Sequence, residues 1–288
     1  YVVLEMAVHH IGEETHFYIA VPKSNADIIE KQIYGLYPTA EITRAKDYNI
    51  FNPQGATAGA YLTYSVSPIL PIKTYLKLET DPIGGILTSM SKLQAEGEGA
   101  SMQILIRPSH AVNQKTLATK VAREMQSGYQ FQEAMQRAQH PPKPKTPDPN
   151  KPPEPEKPKV VTPADDEIIK AITGKASKQS FDVNVRLVTS AQSEVRAQQI
   201  LQDFEGSFVQ FSAPDINNFK TVKLSGSSLD RLIYKFSFRL FDNSQKMVMS
   251  TEEINSLYHF PVASTAAPKV ITSKGIVKTS TRTLSVDV

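Results

Sequence analysis

Hydrophobic and polar positions alternate at the start of the chain. Val2, Leu4, Met6 and Val8 lie on one side of an extended segment, with Val3, Glu5, Ala7 and His9 on the other. After the turn Gly12-Glu13-Glu14, the run His16 to Val21 predicts a second strand and so a hairpin, ended by Pro22. Ser24 and Asp27 have capping-box spacing, and Ile28, Ile29, Ile33, Leu36 and Tyr37 share one helical face. A strand is expected at 39–43 after Pro38. Tyr61 to Val66 predicts another, and Ile72 to Leu78 an extended or edge strand. Asp81-Pro82 has N-cap and N1 character and opens a helix through Ile86, Leu87, Met90 and Leu93. Met102 to Ile106 is nearly continuous in apolar residues, as a central strand should be. A long polar helix follows over 113–138, interrupted at Gly128.

The pattern then changes. Residues 141–163 hold about half of the 20 prolines, interleaved with charged residues. Such a stretch buries too little apolar area to offset its ordering entropy, so an extended spacer is expected; a ligand for a proline-recognition domain is the alternative. Beyond it come a helix over 165–172, a half-buried strand over 181–188, and a helix over 193–202. Short strands at 208–211, 219–224 and 233–241 and a capping box at Ser250 and Glu253 complete the pattern. Residues 262–288 read as a strand or tether. Phe17 to Ile42 and Asn184 to Phe211 both read as strand, helix, strand. The fold class expected is α+β: a mostly antiparallel sheet with helices on one face, built from two ferredoxin-like strand–helix–strand units. The expected organisation is a first α+β unit over 1–138, a proline-rich linker or insertion over 139–165, a second unit over 166–261, and 262–288 leading to a further domain.

Composition narrows the chemistry. Of the 288 residues none is cysteine, which removes disulfides, thiolate metal sites and cysteine nucleophiles. The formal charge of +3 is near balance and does not imply polyanion binding through bulk charge. No apolar run approaches the ~18–20 residues that cross a bilayer. The chain opens at Tyr1 within an apolar run, so it is expected to be part of a longer protein.

Motifs for catalysis are missing. Gly174-Lys175 lacks the first glycine of a phosphate loop, and Gly226-Ser227-Ser228 lacks the form of a nucleophile elbow. His9 and His16 share a hairpin face but have no third ligand at suitable spacing. Glu96 and Glu98 are a carboxylate pair in a glycine loop that is poorly preorganised for acid–base work. Arg107 and Arg186 lie at or near strand ends, where salt bridges or phosphate contacts are both open. Tyr234, Lys235, Phe236, Phe238 and Arg239 interleave aromatics with cations, so on a strand they would be candidate nucleic-acid contacts; an amphipathic strand with a wet face is the plainer reading. No catalytic, cofactor-binding or metal-binding residue is assigned.

Five segments in order resemble a known arrangement. They are Ile33 to Ile42; Pro71 to Tyr75 with Asp81-Pro82-Ile83; Ser91-Lys92-Leu93 with Glu96-Gly97-Glu98 and Gln103 to Pro108; Phe208 to Phe211 with Asn217-Asn218-Phe219; and Ser250 to Pro261. Over about residues 15–261 this is similar to the uncharacterised N-terminal region of P-loop ATPases related to type IV secretion and conjugation in candidate-phyla bacteria. There a RecA-like domain follows; here no Walker motif does, so ATP hydrolysis is expected only in a downstream domain. The resemblance implies a non-catalytic accessory or docking domain, cytoplasmic or at the inner face of the cell membrane. Its partners would be a P-loop ATPase domain in cis or in trans and further copies in a hexamer. The membrane would be met only through segments outside this chain. The alternative is a nucleic-acid-binding module, with DNA as a partner, built on the aromatic–basic strand Tyr234 to Arg239, and a third reading is a small-molecule enzyme whose site forms only in three dimensions.

Overall fold

A computed structural model describes residues 1–12, 14–38, 40–45, 47–109, 112–141, 160–261 and 282–287. The strands are β1 (Val2–Val8), β2 (Thr15–Val21), β3 (Glu41–Arg44), β4 (Ala56–Tyr64), β5 (Gly99–Pro108), β6 (Ser180–Ala191), β7 (Phe219–Leu224), β8 (Met247–Ser250) and β9 (Arg282–Asp287). The helices are α1 (Ala26–Leu36), α2 (Pro82–Ser91), α3 (Val112–Gln126), α4 (Phe131–Gln139), α5 (Pro163–Ala176), α6 (Glu194–Gly206), α7 (Gly226–Ser237) and α8 (Thr251–Leu257). The fold is α+β, as expected, with helices packed against an open sheet.

Seven strands pair antiparallel, with β5 against β6 at the centre from Gly99–Ser190 to Pro108–Phe181. β3 and β2 flank β9 in parallel. Strands from 1–138 and from 166–261 thus share one sheet, and β4 sits between β6 and β7. The proline-rich residues 142–159 and residues 262–281 lie outside the described residues.

One sheet face carries Met6, Val8, Phe17, Met102, Ile104, Val185 and Leu187 against α2, α6 and α8. These helices start where sequence chemistry places them. Asp81 accepts from the Ile83 N–H ahead of Pro82, Ser193 from Arg196, and Ser250 and Glu253 close a reciprocal capping box. α3, α4 and α5 share their own core of Val121, Met125, Ala134 and Ile172. Gly128, at φ +86°, breaks the long polar helix as predicted.

The addition to the expected layering is α7, which lies on the opposite face with Tyr48, Ile50 and Phe51. Two glycines permit this. A Cβ at Gly59 would stand 2.7 Å from Leu232 of α7, and one at Gly99 would stand 2.2 Å from the Ile50 carbonyl.

Several local expectations are corrected. Residues 233–241 are not a strand: Leu229, Leu232 and Phe236 put their apolar spacing on one side of a helix. Phe208 to Phe211 forms a 3-10 turn, so the second strand–helix–strand unit does not close on a strand there. Within 72–78 the regular element is a 3-10 turn at Tyr75–Lys77. Ser24 lies in a 3-10 turn ahead of α1, and α1 has no side-chain cap. β6 is buried on both faces rather than half-buried, because α7 and residues 240–245 cover its polar side.

Candidate functional site

The five residues singled out as nucleic-acid contacts do not form one surface. The helical turn of α7 separates them. Tyr234 and Phe238 are exposed, with ring centroids 4.8 Å apart. Phe236 is buried against Phe51. Lys235 reaches Asp242 at 2.6 Å. Arg239 is buried and pairs with Glu5 at 3.0 Å and Asp47 at 2.9 Å. Both cations of the set are therefore engaged inside the molecule.

Beneath α7 lies a buried polar layer. Glu5 accepts from Gln103 at 2.6 Å and from Arg239. Gln103 in turn accepts from Arg186 at 2.9 Å. Arg186 also donates to the carbonyls of Lys235 and Leu240, and Gln103 to that of Phe236. The Lys235 and Phe236 carbonyls lie in the last turn of α7 and that of Leu240 just beyond it, where a cation complements the helix dipole. Asn184 exchanges two hydrogen bonds with the backbone of Asp242. Burial raises the Glu5 carboxyl against the pull of Arg239, and lowers Arg186 to about 10, where it is still charged at neutral pH. Burial also pushes the Asp242 carboxyl upward, but hydrogen bonds from Lys235 and Ser244 overcome it and hold it at about 2. The layer is closed: its donors and acceptors face one another, which fits a structural clamp.

The hairpin histidines form a stack. His9 and His16 lie 4.6 Å apart, His9 Nε2 meets the Tyr18 hydroxyl, and the Tyr48 ring lies 5.8 Å from His9. No group of three metal-ligating side chains occurs among the described residues. Burial, together with His16 and His10, lowers His9 from 6.5 to about 4. The folded state therefore favours neutral His9, and the unfolded chain binds more protons between those values. This contribution to stability is complete above pH 6.5 and is lost as pH falls towards 4. Thermal melts across that range are expected to show the loss in the native chain and a flatter difference profile in His9→Phe. An unchanged profile in the variant would remove the assignment.

Glu98 is buried and accepts from Arg196 at 2.6 and 3.0 Å, while Glu96 lies in a backbone bridge to Ile11. They do not converge as an acid–base pair. Lys175, next to Gly174, was legible only as a failed phosphate-loop match. It is buried, with its ammonium 3.0 Å from Glu253 and 3.2 Å from the Leu70 carbonyl. Arg107 is held by Asp182 and lies over the Phe241 ring.

An exposed apolar surface lies on α1. None of its residues is buried. Ile28 is 58%, Tyr34 38% and Leu36 78% exposed. α1 links β2 to β3 at the end of the sheet.

Residues 3–273 match the model of a family described as a domain of unknown function, DUF8128. The chain belongs to this family. The match runs from β1 across both halves of the chain, so the DUF8128 unit includes α1, the clamp under α7 and the proline-rich stretch. No curated protein and no solved structure matches the chain significantly. No helix of the DUF8128 chain is long and apolar enough to cross a membrane among the described residues.

Proposed function

We propose that this DUF8128 chain is a non-catalytic accessory domain that docks on a type IV secretion- or conjugation-like ATPase through protein–protein contacts, at the cytoplasmic side of the membrane. The observation that carries the reading is α1, a regular helix with no buried residue, on which Ile28 and Leu36 stand exposed while Ile29 and Ile33 are half-buried. The order of the five segments supplies the kind of partner. The engagement of Glu5, Glu98, Lys175, Arg186 and Arg239 in internal pairs fits a scaffold rather than a reaction centre. The nucleic-acid-binding alternative keeps, of its five residues, Tyr234 and Phe238 exposed, while Lys235 and Arg239 are held by Asp242 and Glu5.

The test starts from the P-loop ATPase encoded in the same or the adjacent reading frame. Complex formation with the DUF8128 chain would be followed by light scattering after size-exclusion chromatography. The double variant Ile28→Glu, Leu36→Glu is expected to weaken the complex at least about tenfold with melting unchanged, because both side chains already face water. An unaffected complex, or none with the native chain, would overturn the reading. Steeply salt-dependent binding of an oligonucleotide would favour the alternative.

A further inference from the structure

A groove runs along α3, between it, α5 and the end of the sheet where β5, β6 and β8 meet. Three adjoining concavities compose it, sharing Gln114 and Val248 at one junction and Ala118 and Ala176 at the other. Four surface cations line it: Arg107, Lys115, Arg123 and Lys246. Lys175 lies in its wall but is already paired with Glu253. The lining carboxylate is Asp182, which takes Arg107 at 3.1 Å, Lys246 at 3.3 Å and the Ser109 hydroxyl at 2.7 Å. One carboxylate facing two cations leaves positive charge in excess. Lys115 and Arg123 make no ion pair among the described residues. They stand eight positions apart on one helix, about 12 Å along its axis.

We propose that this groove binds an acidic amphipathic helical segment of a partner protein. Charge complementarity selects the sign of the ligand. Between the cations, small apolar side chains (Ala118, Ala122 and Ala176, with Ile69 and Val248) alternate with polar ones, among them Gln114, Thr119, Thr173 and Ser177. Small side chains let a helical backbone approach closely, while leucine-like anchors fill the spaces between them. The lining contains no aromatic residue on which bases would stack, which disfavours a single-stranded nucleic acid. The walls are two helices and strand ends, and Arg107 is held in place by Asp182, Asn243 and the Phe241 ring. The site is thus preorganised. The proposal shares with the docking reading the premise that the domain binds protein, but α1 is a separate surface, so each fails independently.

The probe is a fluorescein-labelled peptide of about 18 residues with leucine and alanine on one helical face and glutamate on the other. Fluorescence anisotropy with the full chain is expected to show binding that weakens with salt. The Glu→Gln peptide should bind at least about tenfold more weakly, as should the native peptide to Lys115→Glu, Arg123→Glu. Leu36→Glu should leave binding unchanged. A melting curve checks that the double variant folds, as expected for two exposed residues. The proposal is overturned by no binding, by equal binding of the Gln peptide, or by equal binding to the double variant. It is also overturned if an oligothymidine of equal length binds more tightly than the peptide and is lost in the double variant, since the groove then takes nucleic acid.

Discussion

Replacing Arg239 with methionine is expected to destabilise the protein by about 3–5 kcal/mol, the range for removing one partner of a buried ion pair. Glu5 is 1% exposed, and without Arg239 only neutral side-chain donors, Gln103 and Tyr48, remain to it among the described residues. Arg239 also sits at φ +51°, just past the end of α7, where the Leu240 N–H closes onto the Lys235 carbonyl. A side chain in that conformation costs about 1–2 kcal/mol relative to glycine, and methionine retains that strain while losing the pair. Adding Glu5→Gln removes the stranded charge, so the double variant should recover part of the loss. Urea unfolding of the native, single and double variants measures this. A single-variant change below about 1 kcal/mol would show that Glu5 is neutral or otherwise solvated in the folded state.

Lys175→Met is expected to produce a loss of similar size, about 3–5 kcal/mol. Glu253 is fully buried. Its Oε1 accepts from Lys175 at 3.0 Å, the Tyr64 hydroxyl at 3.0 Å and the Ile72 N–H at 3.2 Å. Its Oε2 accepts from the Ser250 N–H at 2.8 Å and so closes the α8 cap. Methionine fills most of the lysine volume, so the loss is electrostatic rather than a cavity effect. Burial lowers the Lys175 ammonium and the attraction of Glu253 opposes it. Combining Lys175→Met with Glu253→Gln removes the stranded charge; the amide oxygen still accepts from Tyr64 and Ile72 while its NH2 meets the Ser250 N–H and forfeits that cap bond, so the double variant should regain part of the stability lost in the single variant. Denaturant unfolding in which the double variant is no better than the single would contradict an ion-pair origin.

What the chain states locally, the structure repeats. The β1–β2 hairpin, the Asp81-Pro82 helix start, the Gly128 break and the Ser250–Glu253 capping box each rest on neighbours within a few residues. Met102 to Ile106 reads as a central strand because its apolar residues face both ways. The failures have a different physical origin. Tyr234, Phe236 and Phe238 alternate as a strand does, but Leu229, Leu232 and Phe236 also satisfy a helix. The stop signal was obscured because Arg239 occupies the position glycine usually takes. The clamp was invisible because its members come from β1, β5, β6 and the end of α7, far apart in sequence. Asp182, Asn184 and Arg186 looked like a wet face, and only the folded chain shows what covers them. The groove is equally non-local, since Arg107, Lys115, Arg123 and Lys246 acquire a common sign of field only when α3 meets β8.

The order of strands in space also sets a timetable. β4 ends at Tyr64, yet both of its neighbours, β6 and β7, begin only at Ser180 and Phe219. At ~5–20 residues per second, a ribosome delivers the first of them roughly 6–25 s after β4 has been made. Until then Ala58, Ala60 and Leu62 have no strand to bury them, and β5 lacks its longest partner. The newborn chain passes through an interval in which the outer edge of β5 and both edges of β4 are open to other strands. The centre of the sheet can close only once β6 arrives.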